Sequence, residues 1–452
     1  MARMRKRRKT DSQRVRIGKV SVYFHHGGWY GYYRESGRPI RTRLSDLKIE
    51  ALTVAAEIDR SLAQFGRSPH TTQSISIEDL RREFLDDHEQ IRHSSLKTLS
   101  RYRAATQYVA NFAASRRSVK VSEFPAEDFV RYLRQVQVSP NGHPNTSKRP
   151  LRDRGLQYIL EVTRSLFEYA RRRQYLPAHL PNPLSRLRLD QYRVEDRKPV
   201  YCFDAESELA FLRAAGRAEF PIFCMLAKTG LRPGEAIHLL IEDLDLSQGW
   251  VSIRNRPQLG WRIKTGRERR VPLIPELVSV LQISVAGRNA GPIFLRPSRQ
   301  PRPFPAWDAA RMENELQKRI QTESRHVSHP LSRVDQARMA EKLWREVGIY
   351  KTDTIRLAFM KITKRIGLPE ATCPKSWRHT FATLLQDANV DPLIRQIVMG
   401  HKSPFDPRGA LGMTSVYTHS RPETIQREIL RALQLWPQSL QTIQQQAQGG
   451  AS

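Results

Sequence analysis

The segment TGLRPGE, residues 229–235, decides how the second half of this chain folds. Gly230 stops the apolar run before it, because glycine enters the left-handed turn that ends a helix without steric cost. Pro233 suits the first turn of a following helix, whose buried face would carry Ala236, Leu239 and Leu240. Arg232 is left between two helix ends, with Glu235 one turn away. The same construction returns in CPKSWRHTFATLL, residues 373–385. There Pro374 marks a helix start, Trp377, Phe381 and Leu384 form the apolar stripe, and Lys375 and Arg378 share a different face. A cation at a helix N-terminus opposes the macrodipole by ~0.3–1 kcal/mol when exposed. It becomes favourable once an anion arrives, since free N–H groups and guanidinium forks then point at it. Two such placements in one region predict an oxyanion site. Each alone has a plainer reading: Arg232 pairing with Glu235, and Arg378 lying on the surface.

Three further segments belong with these. RIKTGRERRVPL, residues 262–273, closes a hairpin over Trp250–Leu273 and holds Lys264 in a polar Lys264-Thr265-Gly266 turn. A turn lysine is ordinarily just solvated, yet a hairpin tip can reach a neighbouring groove and deliver a proton donor. Arg267, Arg269 and Arg270 suit the same hairpin to DNA contact. In MGH, His401 follows Gly400, either to bond a phosphate oxygen or as a capping or core histidine. SVYTHS carries Tyr417. A phenol with pKa near 10 is a weak nucleophile unless cations lower the cost of forming phenolate, and a solitary tyrosine more often packs in a core. Cations that hold a phosphate, beside a tyrosine that attacks it, suit breaking and rejoining a DNA backbone.

Composition agrees with an anionic partner. The 452 residues hold 76 Lys and Arg against 45 Asp and Glu, a net charge of +31. Such an excess attracts and retains nucleic acid through counterion release, with an anionic membrane surface as the alternative. The length leaves room for roughly three domains, and a hydrophobic fraction of 39% is enough for real cores. No apolar run approaches the ~18–20 residues of a membrane span. Arg3, Arg5, Lys6, Arg7, Arg8 and Lys9 form a basic start with no apolar segment behind it. That is a phosphate-contacting arm or a nuclear-import signal rather than a secretory leader. Cys202, Cys224 and Cys373 are scattered without metal-ligand spacing, as expected of buried thiols in a reducing cytoplasm.

After the basic arm (residues 1–15), residues 16–66 read as three short strands joined by turns at Gly27-Gly28 and Glu35-Ser36-Gly37. An amphipathic helix capped by Ser45 follows. About half of the aromatics Trp29, Tyr30, Tyr32 and Tyr33 must be core, while Arg34, Arg41 and Arg43 are candidates for phosphate or base contact. Residues 77–185 predict helices near 77–90, 95–115, 126–137 and 151–175, with a Pro- and Gly-containing loop at 138–150. A charged, Pro-rich linker spans 186–200, and a mixed α/β domain runs from 201 to 436. Within it, residues 296–350 predict two charged helices, near 307–324 and 333–346. The glutamine-rich end, 437–452, reads as a mobile tail.

At this point the segments resemble the tyrosine recombinase family, the phage-type integrases, over about residues 16–434, and in particular its lambda-like three-domain members. The resemblance implies a mostly α fold with small β-sheets. Its parts would be an N-terminal three-stranded sheet plus helix that binds arm-type DNA, a helical core-binding domain ending in Asn182-Pro183-Leu184, and a mixed α/β catalytic domain. It implies Arg232, Lys264, Lys375, Arg378, His401 and Tyr417 as the catalytic set, with Glu235 in support. Lys375 stands where the family most often has histidine. The gap of 16 from His401 to Tyr417 is longer than usual, with Pro404–Ala410 inserted, and 296–350 is also inserted. Implied with these are recombination of a mobile element through a 3′-phosphotyrosyl link, with no cofactor or metal. The partners would be double-stranded DNA at core and arm-type sites, a synaptic homo-tetramer in which the helix near 424–435 docks on a neighbouring protomer, and an accessory DNA-bending protein. A cytoplasmic, nucleoid-associated location of bacterial or phage origin goes with this. The rival readings are a type IB topoisomerase-like or hairpin-resolving enzyme, which shares the chemistry, and an inactive DNA-binding architectural protein.

Overall fold

A computed structural model describes residues 14–35, 37–66, 68, 75–116, 119–139, 145–176, 180–188, 199–297, 303–326, 330–401 and 420–449. The chain divides into two compact units, Met1–Arg197 and Lys198–Ser452. None of the helices in the described residues is long and apolar enough to cross a membrane.

The first unit opens with an antiparallel sheet of four strands rather than three: β1 (Val15–Ile17), β2 (Val20–His25), β3 (Gly28–Glu35) and β4 (Arg38–Ser45), in that order. The extra strand is only three residues long and borders the basic arm, so alternation could not reveal it. Val20, Val22 and Tyr33 point to one face, where α1 (Lys48–Phe65) covers them with Ala51, Ala55, Ile58 and Leu62. Ser45 is not the N-cap of α1. Leu47 holds that place, while the Ser45 hydroxyl accepts from Leu47 N and donates to Glu50.

A separate core belongs to α2 (Ile77–Asp86), α3 (Leu96–Ala114), α4 (Ala126–Gln135) and α5 (Asp153–Arg172). A two-residue ladder, β5 (Gln137–Val138) with β6 (Arg149–Pro150), joins the last two helices. The Asn182-Pro183-Leu184 segment is tied down for a visible reason. Buried Asn182 donates to Arg164 O and accepts from Leu184 N, and Arg164 donates to Leu184 O and Leu187 O.

In the second unit, α6 (Ala205–Ala214), α7 (Phe220–Thr229) and α8 (Pro233–Ile237) precede the sheet β7 (Leu244–Asp245), β8 (Trp250–Ile253), β9 (Arg269–Pro272). Then come α9 (Pro275–Val285), α10 (Ala309–His326), α11 (Arg333–Glu346), α12 (Thr352–Arg365), α13 (Lys375–Asp387) and α14 (Pro392–Met399). Two more helices end the chain, Pro422–Leu433 and Pro437–Gly449. The core centres on Trp377, stacked on Phe203 at 3.9 Å and edge-on to Phe211. Helices α10 and α11 form a smaller core of their own with Leu240 and Leu259.

The helix Pro422–Leu433 turns Ile425, Ile429, Ala432 and Leu433 into the core of the second unit. One expectation fails just beyond it. The glutamine-rich tail is helical at Pro437–Gly449, with Leu440, Ile443 and Ala447 buried in the same core. Glutamine favours helix nearly as well as leucine, and three apolar residues at near-helical spacing suffice once a surface receives them.

Candidate active site

Gly230 ends α7 with φ 62°, and a Cβ there would lie 2.4 Å from the Phe381 ring, so no other residue fits. The chain leaves this turn extended, buries Leu231, and presents Arg232 as the residue before α8. Glu235 reaches back to accept from Arg232 N at 3.0 Å and from Arg232 Nη1 at 2.7 Å. The plain pairing reading is therefore true as a contact but incomplete. Glu235 is only 1% exposed and Arg232 24%, and the same carboxylate takes a second guanidinium, Arg269, at 2.7 Å.

Arg269 thereby corrects the DNA-contact reading of its side chain. It is 4% exposed, it holds Glu235, and its Nε donates to Val398 O at 2.8 Å. Strand alternation carried the signal: Arg269 is opposite buried Ile253 and on the same face as Val271, whereas Arg270 faces the other way. Arg270 is exposed over the Trp250 ring and 3.4 Å from Asp245. Arg267 is exposed too.

Arg378 is no surface residue either, being 5% exposed. From α13 it donates to Gly230 O at 2.8 Å and to Met399 O, joining the ends of α7 and α14. Gly400 caps α14 with φ 59°, and a side chain there would strike the Arg269 guanidinium at 2.7 Å. His401 emerges directly after it. Lys375, at the first turn of α13, remains exposed. Lys264 is exposed in a turn closed by Gly266 N donating to Ile263 O at 2.8 Å. Tyr417 and the Pro404–Ala410 insertion lie outside the described residues.

The electrostatics follow from this packing. Burial pushes the Glu235 carboxyl up, but Arg269 and Arg232 outweigh it and hold the group below the ordinary glutamate range. Two guanidiniums share this one carboxylate and a third, Arg378, feels its field, leaving an excess of two positive charges. Arg378 is pulled down to about 10 by burial and by its neighbours Arg232 and Arg269, against Glu235. Burial, then Arg378, Arg232 and Arg269, also hold His401 below the ordinary histidine range. A phosphodiester would balance this surplus of positive charge. Among the described residues there is no group of three or more His, Cys, Asp or Glu arranged to hold a metal ion.

Behind α8, His238 stacks on Trp261 at 3.8 Å and donates from Nδ1 to Gly234 O at 2.7 Å. Burial lowers its pKa to about 4, with Arg256 adding to this and the Gly234 bond opposing it. An unfolded histidine titrates near 6.5, so this stabilisation is complete above that value and lost as pH falls towards 4. Between pH 7 and pH 5 the loss should be about 2 kcal/mol. Urea unfolding of the wild type and His238→Gln at the two pH values checks this. Equal pH sensitivity of both proteins would contradict it.

In the N-terminal sheet, the face opposite α1 carries Tyr23, Tyr30, Tyr32, Arg34, Arg41 and Arg43. Arg41 lies over the Tyr23 and Tyr30 rings at 5.4 and 5.2 Å, and Arg43 pairs with Asp46. Tyr33 alone of the three β3 tyrosines is buried, at 1% exposure. Tyr23 and Arg14, which also stacks on Tyr23 and Tyr32, join this face unannounced by any motif.

Residues 213–424 match the model of the phage integrase family, a span that includes the six candidate residues Arg232, Lys264, Lys375, Arg378, His401 and Tyr417. Tyrosine recombinase XerD of Shewanella oneidensis is 25% identical over 342 residues, 74% of this chain and 90% of that protein. Tyrosine recombinase XerC of Pelotomaculum thermopropionicum is 24% identical over 346 residues, 74% of this chain and 92% of that protein. Among solved structures, the Tn1549 transposon integrase in complex with circular intermediate DNA aligns with TM-score 0.49 and 15% identity, covering 79% of this chain and 99% of that one. Residues 213–424, which bring together Arg232, Arg269, their shared Glu235, Arg378 and His401, are a phage integrase family domain of the tyrosine recombinase kind.

Proposed function

We propose that this chain is the site-specific recombinase of a mobile genetic element, cutting and rejoining double-stranded DNA through a 3′-phosphotyrosyl link to Tyr417. The observation that carries the reading is the cation group around one carboxylate: Glu235 pairs with half-buried Arg232 and buried Arg269, and buried Arg378 lies beside them. The Tyr417 phenol releases its proton to solvent as its oxygen bonds to phosphorus, the P–O5′ bond breaks, and Lys264 supplies the proton to the departing 5′-oxygen. Charge on the non-bridging oxygens meets paired N–H donors from Arg232 and Arg378, with bonds from Lys375 and His401. The covalent link stores the phosphodiester energy, so rejoining to a partner strand calls for neither ATP nor metal.

The aromatic and basic face of the N-terminal sheet supports a separate arm-type site, with Arg34, Arg41 and Arg43 at its contacts and Arg267 and Arg270 contacting core DNA. A homo-tetramer would join two duplexes. This module favours recombination over swivelling of one duplex, which needs no second set of sites. Two differently labelled duplexes, each carrying a core site selected from a random pool by the full-length protein, test the point in EDTA. Joint molecules are expected. Relaxation of supercoils without any joint molecule would favour the topoisomerase-like reading.

A further inference from the structure

We infer that Asn255 is a positioning residue for Lys264, and that the inserted pair α10–α11 clamps the loop carrying both. The inference rests on the general-acid reading of Lys264 given above. A general acid must hold its donor within about 2.6–3.2 Å of the leaving oxygen, and a flexible lysine on a loose loop would pay for that ordering in entropy. The connection from Ile253 to Arg269 is long for a hairpin, where two to five residues are usual. Left to itself it would be loose.

Two closures prevent that. At the base, Arg256 and Trp261 exchange backbone hydrogen bonds of 3.0 Å in each direction, around a turn at Pro257–Leu259. The insertion grips this turn. Trp344 Nε1 donates to Leu259 O at 2.9 Å, and Leu259 is buried among Met312, Leu316 and Leu343. Trp261 is held on its other side by His238, which ties the loop to the end of α8 beyond Glu235. At the tip, the Asn255 amide spans the lysine turn. Its oxygen accepts from Ile263 N at 2.9 Å and its nitrogen donates to Gly266 O at 2.8 Å. Glu268 in turn accepts from Asn255 N at 2.8 Å. Lys264 lies between the two tied residues, its backbone constrained while its side chain stays exposed.

The test compares single-turnover cleavage of two nicked duplexes, identical except that one has sulfur in place of the scissile 5′-bridging oxygen. In the sulfur substrate the P–S bond breaks and a thiolate departs without needing a proton, so defects in proton delivery vanish. Lys264→Ala should be slow on oxygen and restored on sulfur. Asn255→Ala should follow it, about ten- to hundredfold slow on oxygen, a part of the ~10²–10⁴ that acid catalysis contributes, and near wild type on sulfur. Asn255→Asp, which keeps the acceptor for Ile263 N, and Trp344→Phe, which keeps the ring without the donor, should show the same pattern more weakly. The sulfur-to-oxygen rate ratio is measured within one preparation, so a misfolded fraction cancels. A ratio for the Asn255 variants equal to wild type overturns the inference while leaving Lys264 as the acid. A Lys264→Ala protein that sulfur does not restore overturns the acid assignment and the inference with it.

Discussion

Tyr417→Phe is expected to abolish covalent attachment to a nicked core-site duplex while leaving DNA affinity unchanged. The substitution removes one oxygen, the atom proposed to bond to phosphorus, and keeps the ring. Loss of a covalent nucleophile costs on the order of 10⁴-fold or more, so the adduct should fall below detection on a denaturing gel. Affinity rests on the basic surfaces, which the change does not touch. An adduct that persists in Tyr417→Phe would mean that another side chain attacks. Weakened binding without loss of attachment would make the phenol a contact rather than a nucleophile.

Arg378→Ala should slow cleavage by roughly 10²–10³-fold, the usual cost of one donor to a developing oxyanion. Lys375→His should stay within about tenfold of the wild type, since imidazole can replace one ammonium hydrogen bond to phosphate. The contrast follows from burial. Arg378 is almost wholly enclosed and joins Gly230 O to Met399 O, whereas Lys375 is exposed on the first turn of α13. Because Arg378→Ala also strips two buried carbonyls of a donor, at ~1–3 kcal/mol each, its folding is to be checked by thermal melt. Equal tolerance of the two changes would contradict the site.

Much of this was legible in the residues. Gly230 after an apolar run and Pro233 opening the next one mark a helix boundary, and they placed Arg232 between α7 and α8; Trp377, Phe381 and Leu384 likewise gave the buried stripe that puts Arg378 at the end of α7. Neighbouring arginines of like composition were harder. Arg269 and Arg270 differ only in which strand face they occupy, and the count of charges in the hairpin hid that one of them neutralises Glu235. Asn255 was invisible because its role lies in two backbone partners up to eleven residues away. The tail misled for the opposite reason. Low complexity is a statement about composition, and the surface that receives Leu440 and Ile443 comes from distant helices, α6 and α9 among them.

The central claim is that fixed positive groups stabilise charge on one scissile phosphate. It is tested most directly by replacing that phosphate with an uncharged methylphosphonate and measuring cleavage by the wild type and Arg378→Ala. With no charge left on the non-bridging positions, the rate ratio of the two proteins should collapse from roughly 10²–10³ to within about tenfold. A ratio that stays unchanged on the neutral substrate would mean that Arg378 serves the fold alone, and the account of the site would fail.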